Sequence, residues 1–139
     1  MVQYAMAKLR HEDQIGLRIR VVLGDGLVIG PGRADLLQFI QETGSIAAAG
    51  RRMGMSYKRA WQLAEALNDS FASPLIAANK GGAAGGGATL TPLGISVLQA
   101  YRDLHAQALT NGAASLALLS AAMTKISPGD PAPERIDKP

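Results

Sequence analysis

Cysteine is absent from the 139 residues, which removes a disulfide framework, a thiolate zinc site and a cysteine nucleophile together. Aromatics are scarce, at one Trp, three Tyr and two Phe, so the core is expected to be assembled from modest side chains. Histidine occurs only as His11 and His105, and the carboxylates do not converge on either by spacing. No catalytic constellation and no metal-ligand spacing results, so neither an enzyme nor a cofactor is expected. No apolar run approaches the roughly 18 residues that a membrane span requires, and His11, Glu12 and Asp13 stand where a signal peptide would need an apolar core. A cytoplasmic protein with no membrane partner is the expectation.

What the chain does have is Ala and Gly, 24 and 16 residues. Such a composition favours a mainly α fold of closely packed helices with small β hairpins and one Gly-rich loop. The length predicts a single domain. The net charge of +3 is modest, but its placement is informative. Residues 51–80 contain five cations, Arg51, Arg52, Lys58, Arg59 and Lys80, against Glu65 and Asp69, so this segment carries the whole excess.

Leu17, Ile19, Val21 and Leu23 alternate with Arg18, Arg20 and Val22, the period of a half-buried strand with both arginines toward water. Gly24, Asp25 and Gly26 turn the chain into a short second strand at Leu27, Val28 and Ile29. Pro31 suits the first position of a helix bearing Leu36, Leu37 and Ile40, ending near Thr43 and Gly44. Ser45 can cap a second helix with Ile46, Ala49 and Met53 on its buried stripe, and Gly54 stops it. Ser56 can cap a third, whose inner face is Ala60, Leu63, Ala64 and Leu67. Its other side displays Tyr57, Lys58, Trp61, Gln62 and Glu65, with Arg59 at the edge. A hairpin follows, with five glycines among the nine residues from Asn79 to Gly87 at its tip. Thr91 and Pro92 then start a long helix carrying Val97, Leu98, Tyr101, Leu104 and Ala108. Asn111 and Gly112 interrupt it before a short helix with Leu116, Leu119, Met123 and Ile126.

This order is a winged helix-turn-helix with a long C-terminal helix. The third helix can present side chains and N–H groups to a DNA groove while its apolar side is supported from behind. Lys58, Arg59 and Gln62 are the expected base readers, Ser56 and Tyr57 the residues that set the helix on phosphate, and Arg51, Arg52 and Lys80 the backbone contacts. The competing interpretation is that the polar side chains merely solvate a surface helix. Trp61 is expected to pack where helix and wing meet, whereas Tyr57 is balanced between phosphate contact and packing. The Gly-rich stretch is no P-loop, because Ala88 and Thr89 follow it in a strand pattern where Gly-Lys-Ser/Thr would be needed.

Gly30-Pro31-Gly32, Thr43-Gly44-Ser45-Ile46, the run from Met53 to Trp61, the Gly-rich wing and Leu90-Thr91-Pro92-Leu93-Gly94 together resemble the N-terminal DNA-binding domain of the ModE family of molybdate-responsive transcription regulators. The winged helix of LysR-type regulators is a more distant likeness. The resemblance covers about Leu17 to Leu104. It implies a dimeric regulator on a palindromic double-stranded DNA operator, linked to molybdenum transport or cofactor genes, with the terminal helix as dimer seam. Two departures accompany it. Ala83 stands where the family's wing usually carries a Lys, so Lys80 would supply the tip charge. No oxyanion-binding segment follows Ile126, so the expectation is a stand-alone form in which this chain alone does not bind molybdate.

The expected layout is a flexible tail over 1–14, the winged-helix and dimerisation domain over 15–126, and a disordered tail over 127–139. A homodimer seam is assigned to Val97, Tyr101, Leu104, Leu116, Leu119 and Met123, because a small domain has little use for so long an apolar stripe. The alternative is that Val97 and Tyr101 pack back onto the first helix. Two rival functions remain: a winged-helix module for protein contacts, and a small phosphate-handling enzyme, which lacks both the Lys-Ser/Thr pair and a base.

Overall fold

A computed structural model describes residues 16–79 and 87–123. Both expected tails, Lys80, Ala83 and the rest of the Gly-rich tip, and Ile126 lie outside those residues. Among the described residues the fold is mainly helical, with five helices and two two-stranded antiparallel hairpins. The order is β1 (Val21–Gly24), β2 (Leu27–Ile29), α1 (Pro31–Thr43), α2 (Ile46–Arg52), α3 (Tyr57–Ser70), β3 (Ile76–Asn79), β4 (Gly87–Leu90), α4 (Pro92–Asn111) and α5 (Ala113–Ala122). This is the order of a winged helix-turn-helix.

A hydroxyl caps the start of α2, α3 and α4, and a proline opens α1. Pro31 opens α1, which ends at Gly44 in the left-handed region (φ 72°), the Gly44 N–H reaching the Ile40 carbonyl at 2.8 Å. Ser45 Oγ accepts from the Ala48 N–H at 3.1 Å to start α2. At the head of α4, Thr91 Oγ1 accepts from the Gly94 N–H at 3.0 Å and donates to the Pro74 carbonyl at 2.7 Å, so one hydroxyl caps the helix and ties it to the chain before β3. A Cβ on Gly94 would stand 2.1 Å from the Leu75 carbonyl oxygen, so only glycine permits this approach.

The first strand is shorter than its alternation suggests. Pairing starts at Val21, opposite Ile29, because β2 ends there and α1 opens at Pro31, and the carbonyls of Leu17 and Ile19 are met instead by side chains of α4. Tyr101 Oη donates to the Ile19 carbonyl at 2.7 Å, and His105 has Nε2 2.6 Å from the Leu17 carbonyl and is partly buried. Its Nε2 therefore carries the proton of that hydrogen bond. Arg20 is exposed as expected, but Arg18 is partly buried, its Nε without a hydrogen-bond partner among the described residues. Asp25 and Gly26, both at positive φ (50° and 80°), make the two-residue turn into β2.

Contacts divide the chain into two units, meeting in sequence between Ala106 and Gln107. In the first, Leu36, Leu37 and Ile40 of α1, Leu67 of α3 and Leu75 form the fully buried centre. Arg102 fastens α4 to α1 through Asp35 Oδ1 (2.8 Å) and Gln38 Oε1 (2.6 and 3.0 Å). In the second, α5 has the sequence AASLALLSAA, with no charge and no buried residue. Leu118, Leu119 and Met123 are 70%, 67% and 77% exposed.

Candidate nucleic-acid interface

Close contact between α2 and α3 begins with small residues. Gly50 faces Ala60, and a Cβ on Gly50 would lie 2.9 Å from the Ala60 Cβ, so the two helices cross almost backbone to backbone. Between them Gly54 adopts a left-handed conformation (φ 69°), and the Met55 N–H returns to the Gly50 carbonyl at 3.0 Å. Ser56 then accepts the Arg59 N–H on its Oγ at 3.2 Å and starts α3. Ala60, Ala64 and Leu67 point into the core, as the periodicity indicates.

With Tyr57 as origin, Trp61, Glu65, Lys58 and Gln62 follow around the helix at about 40°, 80°, 100° and 140°, and Arg59 at about 200°. All six are exposed. Arg51, on the last turn of α2, is exposed as well. Seven sequence-nominated residues, Arg51, Arg52, Ser56, Tyr57, Lys58, Arg59 and Gln62, therefore belong to one α2–turn–α3 unit, while Lys80 falls outside the described residues. Their electrostatic status differs. Arg52 Nη1 is 2.7 Å from Glu42 Oε1, and its guanidinium lies 5.4 Å from the centroid of the Phe39 ring. One acid of α1 thus offsets one of the cations assigned to the DNA backbone.

The wing is fastened at both strands. Ile76–Asn79 pairs with Gly87–Leu90 in register, from Ile76 opposite Leu90 to Asn79 opposite Gly87. The Ala88 N–H donates to the Gly44 carbonyl at 2.9 Å, linking β4 to the α1–α2 turn. Asn68 links the Leu75–Ile76 segment to α3 through its carboxamide. Sequence reasoning passed over Asn68, although a lone Asn in the last turn of a helix, ahead of a Pro, is a residue able to bond backbone outside the helix. Trp61, expected to pack where helix and wing meet, is 47% exposed.

Of the residues assigned to a dimer seam, Val97 packs against the core and Tyr101 is only 5% exposed, with its hydroxyl bonded to Ile19. Both are engaged within their own unit. Leu104 is exposed, Leu116 half-buried, and Leu119 and Met123 exposed. Among the described residues no group of three or more His, Asp or Glu could hold a metal ion, and no helix is long and apolar enough to cross a membrane.

No family model matches the chain. It is 47% identical over 81 residues to the molybdenum-pterin-binding protein MopB of Rhodobacter capsulatus, an overlap of 58% of this chain and 30% of that protein. It is 41% identical over 83 residues to the transcriptional regulator ModE of Haemophilus influenzae, covering 60% and 32%. With the DNA-binding transcriptional dual regulator ModE of Escherichia coli K12 it shares 36% identity over 94 residues, or 68% and 36%. The chain spans about a third of the length of these curated relatives. Over the N-terminal region that it shares with them, the chain is similar to the regulators named ModE and to the molybdenum-pterin-binding protein MopB.

Proposed function

We propose that this chain is a DNA-binding transcriptional regulator that acts as a homodimer on a palindromic duplex operator and controls genes of molybdenum transport or cofactor synthesis. The observation that carries this reading is the outer side of α3: Lys58, Arg59 and Gln62 stand exposed on a capped helix whose opposite side is buried in the core. Such a helix can enter the major groove, about 12 Å wide, with its side chains toward base edges. Lys58, Arg59 and Gln62 read bases, and Ser56 and Tyr57 seat the helix N-terminus on phosphate. Arg51, Arg52 and Lys80 bind the DNA backbone. The relatives named as ModE regulators support the transcriptional role and its molybdenum context.

The dimer seam is assigned to Leu104 in the first unit and to Leu116, Leu119 and Met123 in the second, because their apolar side chains are at least partly open to solvent in the single chain. Two-fold symmetry then sets the two reading helices one DNA turn, ~34 Å, or a multiple of it apart.

Titration of a labelled duplex at several salt concentrations tests the function. Three phosphates neutralised per subunit, six per dimer, correspond to a slope of log affinity against log salt of about −5. A slope of zero refutes DNA binding. It would favour the protein-contact module, to which the exposed Tyr57 and Trp61 would lend an aromatic anchor.

A further inference from the structure

We infer that Trp61 is a specificity-determining residue of α3, which selects duplexes by contact of its indole with the 5-methyl group of a thymine in the major groove. This rests on the DNA-reading function proposed above. The core-facing direction of α3 is defined by Ala60, Ala64 and Leu67 together with Leu63, which packs against them, and Trp61 lies roughly 70° from the direction opposite to it. That places it nearer the groove floor than Tyr57, which sits at the rim of the same side. It also falls in the first half of the helix, the part that reaches base edges in a helix-turn-helix.

The described residues leave about half of its surface open. Trp61 is the only Trp of the chain, stands 47% exposed, and its indole N–H has no hydrogen-bond partner among the described residues. Lys58 and Gln62, exposed on the same side, supply the charge and hydrogen bonding that bring this side against DNA. An indole has no charge with which to hold phosphate. The thymine methyl is the one apolar group that base pairs present in the major groove, so it is the feature there that a large apolar surface can distinguish.

The test uses the full chain and duplexes that it selects from a random-sequence pool, with each thymine replaced in turn by deoxyuridine, which lacks only the methyl. The expected result is about a fourfold loss of affinity per contacted methyl at one position in each half-site, the value of one buried methyl(ene) group. Trp61→Ala binds the thymine and deoxyuridine duplexes equally, and Trp61→Phe retains part of the preference. Emission of the single Trp, followed in the unaltered protein, changes more with the thymine duplex than with its deoxyuridine counterpart, a readout independent of any variant. Indifference of the unaltered protein to every replacement overturns the inference, as does an unchanged preference in Trp61→Ala. Steep salt-dependent binding without a methyl effect leaves the regulator function standing and removes this role of Trp61. Failure to bind any duplex removes both.

Discussion

Asn68 and Ile76 exchange two hydrogen bonds: Asn68 Nδ2 donates to the Ile76 carbonyl at 2.9 Å, and Asn68 Oδ1 accepts from the Ile76 N–H at 2.9 Å. The same oxygen accepts from the Leu75 N–H at 2.9 Å. A carboxamide offers a donor and an acceptor side by side, as a peptide group does, so this one side chain stands in for a neighbouring strand. Leu75 and Ile76 are buried, and water has little access to replace it.

Asn68→Ala should therefore lower stability by about 2–4 kcal/mol, since it leaves buried N–H groups without an acceptor. Asn68→Asp keeps the acceptor but sets a second oxygen against the Ile76 carbonyl, so it should also be destabilising. Chemical denaturation of the three proteins measures this; equal midpoints would show that Asn68 does not anchor the wing.

The pair of Arg52 and Glu42 is exposed, and its contribution to stability should be under about 1 kcal/mol. Its weight falls on binding instead. Glu42→Gln leaves Arg52 uncompensated, so duplex affinity should rise with little change in the salt slope, which already counts Arg52. Arg52→Ala should flatten it. Titrations at three salt concentrations distinguish these from a purely structural pair, for which neither substitution would alter affinity or slope.

Burial pushes the Tyr101 phenol above its ordinary 10.0, with the Arg102 guanidinium opposing and Asp35 adding to the rise. A raised value in the folded state means that the protonated phenol is favoured by folding. That stabilisation is complete below pH 10.0 and is lost as pH rises through the folded-state value. Tyr101→Phe should cost about 0.5–1.5 kcal/mol at neutral pH, for the hydrogen bond to Ile19, and should remove this component of the alkaline decline. Parallel alkaline stability curves for the two proteins would contradict the assignment.

Leu104→Asp and Leu119→Asp should each dissociate the dimer, because an unpaired carboxylate is costly in an apolar seam. Both side chains are exposed in the single chain, so helical content should stay close to that of the unaltered protein. Sedimentation reads the result. An intact dimer in both variants would place the seam elsewhere, most directly at the first hairpin, where Val22 and Leu23 are exposed.

Helix limits were legible because their signals are local: Pro31, Ser45, Ser56 and Thr91 each act within three or four residues of themselves. The same holds for the inner side of α3, which is a matter of period. What escaped depends on distant partners. Leu17 and Ile19 alternate like a strand, yet their carbonyls meet His105 and Tyr101, more than eighty residues away. Arg52 looked like a free cation beside Arg51 until the fold brought it to Glu42 on a different helix. The helix period places Trp61 beside the wing, but how much of its indole stays open, 47%, depends on neighbours that the period does not specify.

The two fastenings of the wing, Gly44 to Ala88 and Asn68 to Ile76, lie on opposite strands of the hairpin and hold its described part on either side of the connection between Asn79 and Gly87. Doubling the length of a flexible connection costs only about 0.6 kcal/mol in closure entropy. Insertions, deletions and changes of charge between those two positions can thus accumulate in a lineage without disturbing the scaffold. Variation in partner preference among descendants has an inexpensive route there, separate from any change in the helices.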